Sequence, residues 1–408
     1  MPKCTADELY LVRIKRQRIT ANFAGGALCS DGGLVLLRGV DRRIGLSSAV
    51  ASVMHDPRDP DLITHSLRDL IAQRLYALAC GYEDLNDHAQ LRLDPLMQTA
   101  VGRDAALGSS PTLCRLEQRV QRRDLVALNQ VLLDQFIATH GAPPDELILD
   151  IDASDIPLHG HQEHREFHGY YDHHCYLPLY VYCGKALLCC ILRRSRIDGA
   201  KHAAAVIKLI IGYLRRHWPQ ARYIVRGDSG FCRQRLIRWC ERQQVGYVLG
   251  VARNTRLEAR VLHWEMALEN AYHDTGEKQR CIRAFRYAAY SWDRPRRLIT
   301  RLEFGTRGNN PRFIVTNLPG TPRYLYDDLY CQRGEAENRI KETQLDLFGT
   351  RTSCHRFLAN WLRILFSGLA YTLMQALKTL ALQGTNLAQC SSATIRVRLL
   401  KIAVCVIG

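Results

Sequence analysis

Residues 146–152, Glu-Leu-Ile-Leu-Asp-Ile-Asp, read as a short β-strand that ends on an acid. The run Gly141-Ala-Pro-Pro144 just before it is a linker, and the pattern changes there from helical to strand-like. Working toward the C-terminus, Cys175–Cys183 and Ala186–Leu192 are two more strands, joined by Gly184-Lys185, so the three can form an antiparallel meander. A helix is expected over Ala200–Trp218, then a strand at Tyr223–Arg226 that runs into Gly227-Asp228-Ser229-Gly230. Helix Gln234–Gln244 and strand Tyr247–Val251 complete the alternation.

A three-strand meander followed by alternating helix and strand predicts an α/β fold with the strand order of an RNase H-like core. From Arg253 to Pro311 the alternation breaks down. Strand-like pieces at Ile282–Tyr290 and Arg297–Phe304 suggest a β-rich insertion there, and Phe313–Leu318 either closes it or rejoins the core. A long helical segment, Leu325–Leu347, and an apolar helix, Phe357–Leu382, follow. Before the core, the region is mainly helical. A hairpin with paired glycines (Gly25-Gly26, Gly32-Gly33) is expected around Ile19–Leu46, and a helix over Leu62–Cys80. A further helix starts at Ser110-Pro111, reaches toward Ile137, and carries Arg115, Arg119, Arg122 and Arg123 on its exposed side. The expected segments are 1–140 (N-terminal, with basic helices that would suit docking on DNA), 146–252 (core, first part), 253–311 (insertion), 312–382 (core completion and C-terminal helix) and 383–408 (tail).

At 408 residues the chain is too long for one ordinary core. Its 47% hydrophobic and 24% charged residues are those of a folded protein. A net charge of +16 attracts polyanions, of which nucleic acid is the commonest. The 15 cysteines contain no C-x-x-C pair, which excludes a zinc ribbon and argues for reduced thiols in the cytoplasm. Met1–Arg18 has no apolar core of a secretory signal. In Phe357–Leu382, Arg363 and Lys378 leave 14 uncharged residues between them. That is short of the roughly 20 needed to span a bilayer, so a buried helix and no membrane partner are expected.

Two acids stand at strand ends, where sites of open α/β sheets gather: Asp152, and Asp228 in its glycine-flanked turn. Carboxylates converging there suit Mg²⁺ or Mn²⁺, hard ions that prefer oxygen ligands, and a pair of such ions serves phosphodiester chemistry. A third acid is marked by Tyr330-x2-Arg333-x3-Glu337, whose spacing puts the three side chains on one helical stripe that Lys341 and Gln344 extend. An arginine on such a stripe can grip a phosphate through two hydrogen bonds.

In these residues the chain resembles the bacterial insertion-sequence DDE transposases, in the branch with a β-stranded insertion between the second Asp and the Glu and a Y-x2-R-x3-E-x6-K signature. The resemblance covers Glu146–Leu382 and rests on LDIDASDIPLHGHQE (149–163), CYLPLYVYCG (175–184), VRGDSGF (225–231) and YCQRGEAENRIKE (330–342). It implies Asp152, Asp228 and Glu337 as the catalytic, metal-holding triad, with Asp152-x-Ser154 standing for the family's Asp-x-Thr. It also implies two Mg²⁺ ions, replaceable by Mn²⁺, and DNA contacts by Tyr330 and Arg333. The signature's final Lys falls on Gln344, and Lys341 one turn earlier is a substitute cation. Asp150, on the same strand face as Asp152, and Asp155 are alternative first acids. The implied partners are double-stranded DNA (the element's terminal inverted repeats and the target) and a second copy of the chain in the synaptic complex. The implied location is cytoplasmic, at the nucleoid. Trp292 is a candidate for stacking on a flipped base, set against a place in the core.

Three rival readings stand beside this one. The cluster His159, His161, His164, His168, His173 and His174 contains an i, i+4 pair that would bind zinc on a helix. Its glycines and charges, between two strands, favour a polar loop. A structure-specific metal-dependent nuclease and a non-catalytic DNA-binding protein of transposase origin are the other two.

Overall fold

A computed structural model describes residues 8–22, 25, 26 and 28–407, which fall into two compact units: 120–372, and 1–119 together with 373–408.

The larger unit is built on one mixed sheet. Its strands are β1 (Glu146–Ala153), β2 (Leu179–Cys183), β3 (Ala186–Ile191), β4 (Arg222–Gly227), β5 (Gly246–Val251), β6 (Gln279–Tyr287), β7 (Arg296–Gly305) and β8 (Arg312–Thr316). They lie side by side in the order β3-β2-β1-β4-β5-β8-β7-β6. The inner strands β1, β4 and β5 are parallel, and every other pairing is antiparallel. Helices fall where parallel strands need crossovers. Helix α1 (Arg122–Ala138) precedes β1, α2 (Ala203–His217) links β3 to β4, and α3 (Gln234–Arg242) links β4 to β5. Ile207, Ile211 and Leu214 of α2 and Ile237 of α3 are buried in one core with Leu149, Val225 and Leu249 of the sheet. On the edge strand β3, side chains satisfy the backbone of Cys190: Asn129 of α1 accepts from its N–H at 2.8 Å, and the Trp361 indole donates to its carbonyl at 3.0 Å.

The structure departs from the sequence expectations in several places. The meander is broken at Leu177-Pro178, because proline cannot donate to a ladder; His173–Tyr176 joins a small separate sheet with Ile156–Pro157 and Glu166–His168. The insertion opens with a 21-residue helix, α4 (Thr255–Thr275), where β structure was expected. Asn254 caps its start by accepting from the Leu257 N–H at 3.0 Å, and left-handed Gly276 ends it. Strands β6 and β7 then extend the main sheet through β8, so Phe313–Leu318 rejoins the core. The expected helix from Ser110 to Ile137 is two helices, Ser110–Arg119 and α1, broken at Val120-Gln121 where Gln121 and Asp124 form a reciprocal cap. The run after β8 is helical from Tyr324 to Asp346, but its winding changes. It is wide (π) at Tyr324–Tyr330, tight (3₁₀) at Cys331–Arg333, α in α5 (Gly334–Lys341), and wide again to Asp346.

The smaller unit is mainly helical, with Leu34–Ile44, Leu46–Val53, Leu67–Cys80 and Pro95–Val101 as helices. The hairpin expected around Ile19–Leu46 falls partly outside the described residues. Within them, the hairpin lies earlier, Glu8–Ile14 against Gln17–Asn22. Gly32 and Gly33 are not its turn. They make room for the C-terminal chain, donating to the carbonyls of Ile402 (2.8 Å) and Leu400 (3.1 Å). Helix α6 (Phe357–Ala381) is long and apolar enough to cross a membrane by composition alone, yet 78% of its most apolar window is buried inside the protein. That fits a core helix.

Candidate active site

The site forms where the parallel strands β1 and β4 end. Asp152 is the seventh residue of β1, and Asp228 follows β4 directly. Asp228 caps a 3₁₀ turn, Ser229–Phe231, by accepting from the Gly230 N–H at 2.9 Å. Glu337 comes from α5, across the sheet end. Helix α5 and the turn after it are held there by the Tyr182 hydroxyl of β2, which lies 2.9 Å from Thr343 Oγ1.

Arg333 joins these parts. One guanidinium nitrogen donates to Asp152 Oδ2 at 3.3 Å, another to Glu337 Oε1 at 2.5 Å. The Asp152 carboxyl also accepts from the Ala153 N–H at 2.8 Å. Its pKa is nevertheless pushed up to about 7. Burial is the main cause, the charges of Asp228 and Glu337 add to it, and Arg333 opposes it. The charges of Asp228 and Glu337 therefore both act on Asp152. Among the described residues, no three His, Cys, Asp or Glu side chains converge to ligand distance as the chain stands. The donor set nevertheless fits a hard divalent cation, being entirely carboxylate and carrying more negative charge than one arginine balances.

Tyr330 lies beside Asp228. A Cβ added to Gly250, on β5, would sit 2.7 Å from the Tyr330 hydroxyl and 2.8 Å from the Ser229 nitrogen, so only glycine lets the ring approach the Asp228 turn. Burial raises the Tyr330 phenol's pKa; Arg333 opposes this and Asp228 adds to it. Lys341 is exposed one turn beyond Glu337. Gln344, where the signature has lysine, is only 7% exposed. It faces the first-acid motif: its Oε1 accepts from the Ser154 hydroxyl at 3.4 Å, and its amide donates to the Asp155 carbonyl at 3.5 Å.

The alternative first acids are otherwise engaged. Asp150 is 3% exposed, and both its oxygens accept from Arg226, at 2.5 and 2.7 Å. Asp155 pairs with His173 Nε2 at 2.8 Å. The other histidines of the cluster are spread over the small sheet and its turns, His164 against Phe357 and His174 against Phe167. Trp292 packs edge-on to Tyr287, with the Arg296 guanidinium 5.6 Å from its ring. Arg115, Arg122 and Arg123 are exposed, whereas Arg119 is ion-paired with Asp56 at 3.3 Å.

Sequence reasoning missed Arg226 and Gly250. A single arginine in the apolar run Tyr-Ile-Val-Arg-Gly was the available signal for Arg226, since a buried charge needs a partner. Nothing local marked Gly250.

Comparison with curated proteins finds no match. The family model described as Transposase DDE domain group 1 matches residues 11–408, nearly the whole chain. With that span, the chain belongs to the Transposase DDE domain group 1 family.

Proposed function

We propose that this transposase cuts and joins DNA backbones at an Asp152–Asp228–Glu337 triad on an RNase H-like core, acting on the ends of its own insertion sequence. The strand order β3-β2-β1-β4-β5, with β1, β4 and β5 parallel, supports the core assignment. The observation that carries the mechanism is the bridge that Arg333 makes between Asp152 and Glu337, with Asp228 near enough to raise the proton affinity of Asp152. Such carboxylates would hold two Mg²⁺ ions, or Mn²⁺ in their place, whose chemistry is to activate the attacking oxygen and to stabilise the leaving one. Asp152 must be deprotonated to serve, and the charge of Arg333 favours that form. Arg333 would turn one face of its fork to a phosphate of the cut end. Tyr330, fixed over Gly250, would border the reacting strand, and exposed Lys341 would meet the backbone further along.

The exposed Arg115, Arg122 and Arg123 and the net charge of +16 support DNA contacts by the N-terminal region, 1–140. Cutting two element ends requires two active sites, so the working form is a dimer on DNA, in the cytoplasm at the nucleoid.

The test uses duplexes taken from the DNA flanking the reading frame, incubated with the protein and Mg²⁺. Cleaved and joined products are expected, both abolished by Asp228→Ala. Cleavage without joining would make the enzyme a nuclease. Binding without cleavage would make it a DNA-binding protein only.

A further inference from the structure

One layer below the acids lies a second pair. Asp150 and Arg226 are direct cross-strand partners on the parallel neighbours β1 and β4. Each stands two residues before an acid, Asp152 and Asp228 respectively. Side chains along a strand alternate faces, so Asp150 shares its face with Asp152. Arg226, 5% exposed, spends three nitrogens in three directions of one plane: Nε on Asp150 Oδ1 at 2.5 Å, Nη2 on Asp150 Oδ2 at 2.7 Å, and Nη1 on the carbonyl of Leu329 at 2.5 Å. Leu329 is the residue before Tyr330. The helical run changes there from wide to tight winding, ahead of Arg333 and Glu337.

One rigid guanidinium thus touches the first-acid strand, sits on the second-acid strand and holds the backbone from which the third acid's helix continues. A buried ion pair adds little net stability over an apolar pair of similar volume, so stability does not account for a charge here. What a planar fork supplies is fixed geometry. We infer that Arg226, locked by Asp150, is a positioning residue that sets the spacing of Asp152, Asp228 and Glu337. This rests on reading those three as the ion-holding acids. It also gives Asp150 a role other than first acid: its carboxyl is 3% exposed and is held on both oxygens by one buried arginine.

The experiment measures Mn²⁺ affinity of the full chain by titration calorimetry, with folding checked by circular dichroism. It compares the wild type with Arg226→Lys, Asp150→Asn and Arg193→Lys. Arg193 is the control: 3% exposed in the same unit, it bonds the carbonyls of Leu177 (2.8 Å), Gly199 (2.9 Å) and Lys201 (2.6 Å) and no acid. Arg226→Lys and Asp150→Asn should weaken Mn²⁺ binding on the order of tenfold or more, as loss of an outer-shell partner does. Arg193→Lys, at a comparable fall in Tm, should not. Asp150→Asn keeps its side-chain shape and carries the comparison alone if lysine at 226 does not fold. Unchanged affinity in the folded Arg226 and Asp150 variants overturns the inference while leaving the triad intact. Absence of Mn²⁺ binding in the wild type, or undiminished binding in Asp152→Asn, overturns the triad reading itself.

Discussion

Arg333 and Glu337, one helical turn apart, are joined by a 2.5 Å hydrogen bond, and the same guanidinium reaches Asp152 at 3.3 Å. The arginine is the cation that now balances carboxylates from two distant parts of the chain. Arg333→Ala should therefore cost the metal-free protein about 1.5–3 kcal/mol, the range for hydrogen bonds to charged groups. Added Mg²⁺ should recover more stability in the variant than in the wild type, because the ion and the arginine compete for the same oxygens. Thermal melts with and without Mg²⁺ check this. Equal shifts in both proteins would mean that the guanidinium and the ion do not share ligands.

The same crowding has a pH signature. Asp152 binds its proton more tightly in the folded state, where its pKa is about 7, than in the unfolded chain, where it has the ordinary aspartate value. Its contribution is therefore present at low pH and lost as pH rises toward and through 7. Without divalent ions, the wild type should lose stability relative to Asp152→Asn between about pH 4 and 7, the interval from the ordinary aspartate value to the folded one. The loss is at most about 4 kcal/mol, at roughly 1.4 kcal/mol for each pH unit of that interval. Urea titrations of both proteins across that range measure it. A difference that is flat with pH would remove the charge crowding.

Strands β1 and β4 were legible because each is an apolar run that stops at an acid or a glycine turn, and a strand's neighbours repeat that signal. The Arg333–Glu337 pairing was legible because the helix puts polar, chemically assorted residues at a spacing usually given to apolar ones. Helix α4 was not. It buries only Leu257, Val261 and Glu265, so its period is diluted by charges, although the Asn254 cap and Gly276 stop were in view. Partnerships were the other blind spot. Arg119 reads as an exposed basic residue until Asp56, remote in sequence, closes on it. Asp150 and Asp152 are equivalent by strand periodicity, and only the arginine on the neighbouring strand separates them.

Two glycines of the smaller unit should respond oppositely to alanine. A Cβ on Gly33 would lie 2.5 Å from Leu400 Cα and 2.7 Å from the Leu399 carbonyl, so backbone must move. Gly33→Ala should destabilise by about 1–3 kcal/mol, as overpacking does, and expose the chain near Leu400 to protease. Gly39, inside helix Leu34–Ile44, is exposed and has nothing within 4 Å of the added carbon. Gly39→Ala should stabilise by about 0.5–1 kcal/mol through helix propensity. Denaturant midpoints and limited proteolysis distinguish the two, and a destabilised Gly39→Ala would contradict the helix assignment.

Gln344 stands where the family signature has lysine, and a lysine there would not restore a DNA contact. The amide is 7% exposed, and it both accepts from the Ser154 hydroxyl and donates to the Asp155 carbonyl. It steadies the turn that follows Asp152. An ammonium has no acceptor for the serine hydroxyl, and burying its charge costs more than burying an amide. Gln344→Lys must either desolvate the cation or swing it outward and release Ser154. Stability should fall by about 1–3 kcal/mol, with no gain in cleavage rate or in the salt dependence of DNA binding. A steeper salt dependence with unchanged stability would show instead that position 344 reaches the phosphate backbone.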